Sequence, residues 1–251
     1  MNSHHAHHAL KVPQVTLAFW MIKILATTLG ETAGDTVSMS MNLGYLVGTA
    51  IFLSALVVLV AIQIRATQYH PFLYWATIIA STTAGTTMAD FADRSLGIGY
   101  LGGSLLLFMC VMASLALWYR SQGTVSVASI KTPKVEAFYW VTITFSQTLG
   151  TALGDWIADA GLGYDGGALV FGAMLALVGI AYYRTLISHV LLFWIAFILT
   201  RPLGATIGDF LDKPVAQGGL DISRPMASAI LAMLVMIGVV LQSKRESRVV
   251  P

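Results

Sequence analysis

One short pattern occurs four times in this chain, and few folds can satisfy it. Gly30-Glu31-Thr32-Ala33-Gly34-Asp35 returns as Gly85-Thr86-Thr87-Met88-Ala89-Asp90, as Gly150-Thr151-Ala152-Leu153-Gly154-Asp155 and as Gly204-Ala205-Thr206-Ile207-Gly208-Asp209. Each copy ends in a small residue followed by aspartate. Each aspartate has a tryptophan 15 residues before it: Trp20, Trp75, Trp140 and Trp194. Such a period signals one supersecondary unit copied along the chain, so the repeat has to be read before any single element.

Composition decides where such a repeat can live. Hydrophobic residues make up 57% and charged residues 10% of the chain, against about 25% charged in an ordinary soluble domain. So few charges cannot cover a water-facing surface, and the reading is an integral membrane protein. A net charge of +2, scattered along the chain, excludes nucleic acid as a partner. The lone Cys110 excludes a disulfide framework, a thiolate zinc site and an iron–sulfur cluster built from this chain, and reads as a small core residue. His4, His5, His7 and His8 lie in a segment without a signal-peptide cleavage site, read as a disordered cytoplasmic tail over 1–14 rather than a metal-gathering element.

Apolar segments of about 20 residues, enough to cross a bilayer, come in pairs. They lie at 16–37 and 44–64, 72–92 and 98–119, 136–158 and 164–183, and 187–210 and 225–242. The expected fold is all-α and membrane-embedded, with eight transmembrane helices in four parallel two-helix hairpins. The repeats span 15–64, 71–119, 136–183 and 187–242, with a linker at 120–135 and a tail at 243–251. Nine loop cations (Lys11, Arg65, Arg120, Lys131, Lys134, Arg184, Lys244, Arg245, Arg248) face three (Arg94, Lys213, Arg224). That asymmetry puts both termini in the cytoplasm of a bacterial inner membrane.

The aspartates carry the chemistry. Fifteen helical residues span about 22 Å, so tryptophans in one interfacial belt would set all four carboxylates at one level in the opposite half of the bilayer. Residues four apart share a helix face, which gives four stripes: Lys23, Thr27, Glu31, Asp35; Thr82, Thr86, Asp90; Gln147, Thr151, Asp155, Asp159; and Arg201, Ala205, Asp209. Glu31, Asp35, Asp90, Asp155 and Asp209 oppose only Lys23 and Arg201 along these stripes, a balance of −3 that favours a cation. Carboxylates and hydroxyls suit Mg²⁺, Mn²⁺, Ca²⁺ or protons, and no resident cofactor is expected. Arg201-Pro202 is expected to break the seventh helix, with Arg201 free to neutralise Asp209. His70 and His189 read as interfacial, Asp93, Asp159 and Asp212 as solvated helix ends, and the tryptophans as anchors or packing residues.

Four tandem two-helix repeats with a tryptophan and a Gly-Asp element resemble a bacterial family of multi-pass membrane proteins known as a repeat of unknown function. The resemblance covers about residues 15–242; it implies fold and location, and brings no activity. The expected function is therefore argued from the stripes alone. A secondary carrier of a small cation would bind its ion at Asp35, Asp90, Asp155, Asp209 and Glu31, beside Thr86, Thr151 and Gln147, with Arg201 and Lys23 as internal counter-charges. In one alternative the aspartates only tie the repeats together in a structural or regulatory protein. In another, Arg201 and Lys23 hold a small anionic or zwitterionic solute. An enzyme is not expected, because the chain has no nucleophile–base pair, histidine-rich cluster or phosphate loop. The partners are the lipid bilayer and a small ion or solute, with a homo-oligomer left open.

Overall fold

Helix starts are written in the local sequence. The Thr16 hydroxyl accepts from the Phe19 amide (3.3 Å) and the Thr132 hydroxyl from the Val135 amide (3.4 Å). Pro71 and Pro133 occupy first helical positions, where the missing amide proton is not needed. The computed structural model describes residues 11–249. Among the described residues it contains eight long helices and no strand: α1 (Leu17–Asp35), α2 (Gly44–Arg65), α3 (Pro71–Asp90), α4 (Tyr100–Gln122), α5 (Pro133–Ile157), α6 (Gly163–Arg184), α7 (His189–Asp212) and α8 (Arg224–Val249). After each of the first three aspartates the helix loosens into a single π turn: Thr36–Ser40, Phe91–Ser95 and Ala158–Leu162. The chain then reverses through Gly44, Gly99 and Gly163, whose φ angles of +75°, +79° and +66° exclude most side chains. That is why a Gly-Tyr pair opens the second helix of three repeats. The fourth repeat turns instead through Val215–Gln217.

The odd helices close into a ring in the order α1, α3, α5, α7 and back to α1. Glycines set its spacing. A β-carbon on Gly85 would stand 2.9 Å from the backbone of Gln147 and Thr148, and one on Gly30, Gly150 or Gly204 would run into Thr82, Arg201 or Thr27. In every repeat the glycine five before the aspartate thus receives the residue eight before the next aspartate, and repeat 4 closes onto repeat 1. Small residues let the backbones approach this closely.

The even helices form an outer layer, and here the expected hairpins are corrected. α2 packs on α3, α4 on α5, α6 on α7, and α8 returns to α1, so each second helix leans on the next repeat rather than on its own. In the first three repeats the π turn and glycine reversal precede this sideways step, and in the fourth the turn through Val215–Gln217 does. The distribution of polarity is inverted relative to a soluble protein. Leu46, Val57, Leu105, Met109, Leu169 and Ile230 are exposed on the outer layer, while threonines and charges fill the inner ring.

Five helical stretches are long and apolar enough to cross a membrane: Gly44–Arg65, Tyr100–Gln122, the continuous Pro133–Arg184, His189–Asp212 and Arg224–Arg245. α1 and α3 are not among them, against the expectation of eight apolar segments. α1 holds Lys23, Glu31 and Asp35, and α3 carries Ser81, Thr82, Thr83, Thr86 and Thr87, all buried inside the ring. The N-terminal histidines lie outside the described residues. Lys11 and Val12, expected in a disordered tail, are buried: Lys11 pairs with Glu136 (2.8 Å) and donates to the Ile64 carbonyl (3.0 Å). The linker is also packed, with Ile130 fully buried and the Val125 carbonyl accepting from the Trp194 indole (2.9 Å).

Candidate functional site

The four stripes stack into layers inside the ring, each layer with one residue per repeat. Phe19, Tyr74, Tyr139 and Phe193 lie sixteen residues before the aspartates, and the Tyr74 and Tyr139 hydroxyls pair at 2.6 Å. Trp75, Trp140 and Trp194 are buried beside them, with Trp20 partly buried. An interfacial anchoring role for these tryptophans is therefore replaced by core packing. The next layer, Lys23, Ile78, Ile143 and Phe197, is fully buried. Apart from Lys23, these two layers close one end of the axis with aromatic and aliphatic bulk.

Polar chemistry begins one turn further along. Thr27, Thr82, Gln147 and Arg201 form one layer and Glu31, Thr86, Thr151 and Ala205 the next, all buried. Arg201 reaches every other repeat. Its Nη2 faces Glu31 Oε2 (2.8 Å), Thr86 Oγ1 (2.6 Å) and Thr151 Oγ1, and its Nη1 donates to the Thr27 carbonyl (3.4 Å). A planar guanidinium with five donors suits a bridge among three helices, where an ammonium could not reach so many partners. Arg201 thus pairs with Glu31; it does not neutralise Asp209. The expected break at Pro202 is absent as well: α7 runs straight through it, and Thr206 Oγ1 donates to the Pro202 carbonyl (2.9 Å).

The polar layers are incompletely paired. Both amide atoms of Gln147, the hydroxyl of Thr82 and Nε of Arg201 are buried without a hydrogen-bond partner. Lys23 Nζ has only Thr200 Oγ1 (3.4 Å) and the face of the Phe197 ring (4.1 Å to its centre).

The aspartates form the last layer, and cations from the loops hold them. Arg94 pairs with Asp90 of its own repeat (2.7 Å) and reaches Asp155 of the next (3.5 Å). Lys213 pairs with Asp209 (2.8 Å) and crosses to Asp35 (2.7 Å), which also meets Arg224 at 3.6 Å. Burial opposes the charged form of both cations, but Asp209, Asp35 and Asp212 around Lys213, and Asp90 and Asp155 beside Arg94, outweigh it and hold both above their ordinary range. This overturns the expected imbalance of −3. The three cations assigned to solvent loops fold back onto the carboxylates, so Glu31, Asp35, Asp90, Asp155 and Asp209 are met by four cations, Arg201, Arg94, Lys213 and Arg224.

Asp212, expected to be solvated, is buried, and its carboxylate oxygen lies within 4.8 Å of oxygens from Asp35 and Asp209. Lys213 Nζ already stands among these three at 2.7 to 3.9 Å. Arg94, Lys213, Arg224 and Asp212 are the site residues that sequence reasoning missed. The available signal was spacing, since Arg94 and Lys213 each fall four residues after an aspartate, on the same helix face.

The sequence profile of the repeat of unknown function (DUF347) matches residues 18–69, 73–124, 138–187 and 192–248. The chain belongs to that repeat family. Its four matches contain the four axial stripes, so the family repeat is the unit that builds the ring. No curated protein and no solved structure matches the chain.

Proposed function

We propose that this member of the repeat family is a membrane carrier of a small polar solute. Its site is the pair of axial layers around Gln147, Arg201 and Glu31, and the ion-paired aspartates form a closed gate at one end. The observation that carries the reading is the Gln147 amide, buried at 0% exposure with neither nitrogen nor oxygen partnered, in the same layer as the free Arg201 Nε and Thr82 hydroxyl. A buried amide without partners costs on the order of 1–3 kcal/mol, and a bound solute would remove that penalty. Charges and amides in the axis of a membrane bundle are expensive and generally functional, and a purely structural tie does not call for them.

In this reading all eight helices span the membrane. The apolar outer layer meets lipid, the polar inner helices are shielded from it, and the lysine- and arginine-rich end faces the cytoplasm of a bacterial inner membrane. Arg94 and Lys213 each keep the partner four residues before them and give up the cross-helix partner when the gate opens. The cation reading retains one supporting observation, the convergence of Asp35, Asp209 and Asp212. There the ion would have to displace the Lys213 ammonium.

The test is melting of the detergent-purified chain against a panel of small anionic, cationic and zwitterionic solutes, in wild type and Gln147→Met. The expected result is a solute that stabilises wild type, with the effect lost in the variant. Stabilisation that survives Gln147→Met, or no stabilisation by any solute, would overturn the axial site and leave the structural reading.

A further inference from the structure

We infer that the axial site takes a small monovalent anion, of halide, nitrate or formate size. This deepens the carrier reading and rests on it. Lys23 and Arg201 share one short bridge: Lys23 Nζ meets Thr200 Oγ1 (3.4 Å), the Thr200 carbonyl accepts from Thr27 Oγ1 (3.1 Å), and the Thr27 carbonyl accepts from Arg201 Nη1 (3.4 Å). Two basic side chains therefore occupy neighbouring layers. Glu31 is the carboxylate that answers them, and Arg201 takes it. Lys23 forms no ion pair among the described residues; its partners are a hydroxyl and an aromatic face.

A fully buried lysine beside Arg201 and without a carboxylate holds a proton only at high cost, and an anion seated against it removes that cost. The neighbouring free groups point the same way. The Arg201 Nε–H, the Gln147 amide N–H groups and the Thr82 hydroxyl can all donate and lack acceptors, which is what an anion requires; the Gln147 Oε1, also unpartnered, would face away from it. Size follows from the ring. Close helix approach at Gly30, Gly85, Gly150 and Gly204 keeps the ring narrow, which disfavours a branched solute and favours a compact ion.

The charge assignment reverses the one drawn from the linear sequence. Carboxylates outnumber cations along the stripes taken together, but the loop cations pair with the aspartates at one end, and Lys23 and Arg201 face Glu31 alone deep in the ring.

The experiment uses the full chain in detergent, in sodium gluconate buffer, whose anion is too bulky for the ring. Sodium chloride, nitrate and formate are added at low millimolar concentration, below the range in which salts act generally on burial. Choline chloride, magnesium gluconate and glycine serve as comparison arms. The expected result is a rise in melting temperature of about 5 °C near saturation with each small anion, whichever cation accompanies it. Lys23→Arg keeps the rise. Lys23→Met abolishes it and melts no lower than wild type without anion, and Gln147→Met weakens apparent affinity at least tenfold. If Lys23→Met does not fold, Lys23→Arg and Gln147→Met carry the test.

An anion-driven rise undiminished in Gln147→Met and Lys23→Met would place the anion elsewhere and overturn the inference. A rise with magnesium or glycine but with no anion, lost in Gln147→Met, would overturn the anion class and leave the axial solute site standing. No rise with any solute would overturn both.

Discussion

At the residue scale, Arg201 ties the ring most widely, because one guanidinium meets Glu31, Thr86, Thr151 and the Thr27 carbonyl. Removing one member of a buried pair leaves the other charged and unsolvated, a loss of about 3–5 kcal/mol. Arg201→Met should therefore lower the unfolding midpoint sharply, by roughly 6 °C or more. Adding Glu31→Gln to the same chain should restore more than half of the loss, since no lone charge then remains. Equal melting of the single and double variants would show that the Glu31 pairing has little energetic weight. Lys23 is the contrasting residue: it has no carboxylate to abandon, so its removal should not destabilise the chain by this route.

At the scale of elements, the turns after the odd helices place the cations of the aspartate layer. Asp90 ends α3, and the π turn that follows brings Arg94 back over it and on to Asp155 of α5. Lys213, just past α7, does the same for Asp209 and Asp35 of α1. The ion pairs therefore staple α3 to α5 and α7 to α1 at this end, while among the described residues no ion pair there crosses the α1–α3 or α5–α7 seam. Arg94 is 37% exposed, so its pairs are screened and contribute modestly, on the order of 1 kcal/mol or less. Arg94→Ala should accordingly change melting by only a few degrees, yet speed amide hydrogen exchange in 91–99 and 155–163. Unchanged exchange in those two segments would argue against the staple. Lys213 is far more buried than Arg94 and bridges two carboxylates at 2.7 and 2.8 Å, so Lys213→Ala should be the more damaging of the two.

For the whole molecule, closure is the organising fact. Every even helix packs on the following repeat, so repeat 4 has its partner only because α8 finds α1. A half chain would leave α1 and α7 faces and the α4 and α8 partners uncovered. A chain divided within 123–126 should therefore co-purify as two fragments when both are expressed, with neither accumulating alone. Stable accumulation of residues 1–123 by themselves would show two independent halves instead of one ring. Cysteines placed in the loops at 123–126 and 217–219 should label from opposite faces of the membrane if all eight helices span it.

Much of this was readable in the linear sequence, for a definite reason. Repetition and periodicity are properties of order along the chain. The Gly-x-x-x-small-Asp copies, the tryptophan at fixed spacing and the four-residue stripes therefore mark the odd helices, their buried faces and the common level of the aspartates. What order cannot carry is partnership between segments brought together by turns. Nothing in the spacing tells α2 to pack on α3 rather than α1, and the π turn with its left-handed glycine decides that. The same applies to charge. Arg94, Lys213 and Arg224 belong to loops in the sequence and to the aspartate layer in space, because those turns fold back across the helix ends. Lys23 and Glu31 lie on one helix face, but Arg201 arrives from α7 and takes the glutamate. Sequence order determined which residues are buried together; tertiary closure decided which charges meet.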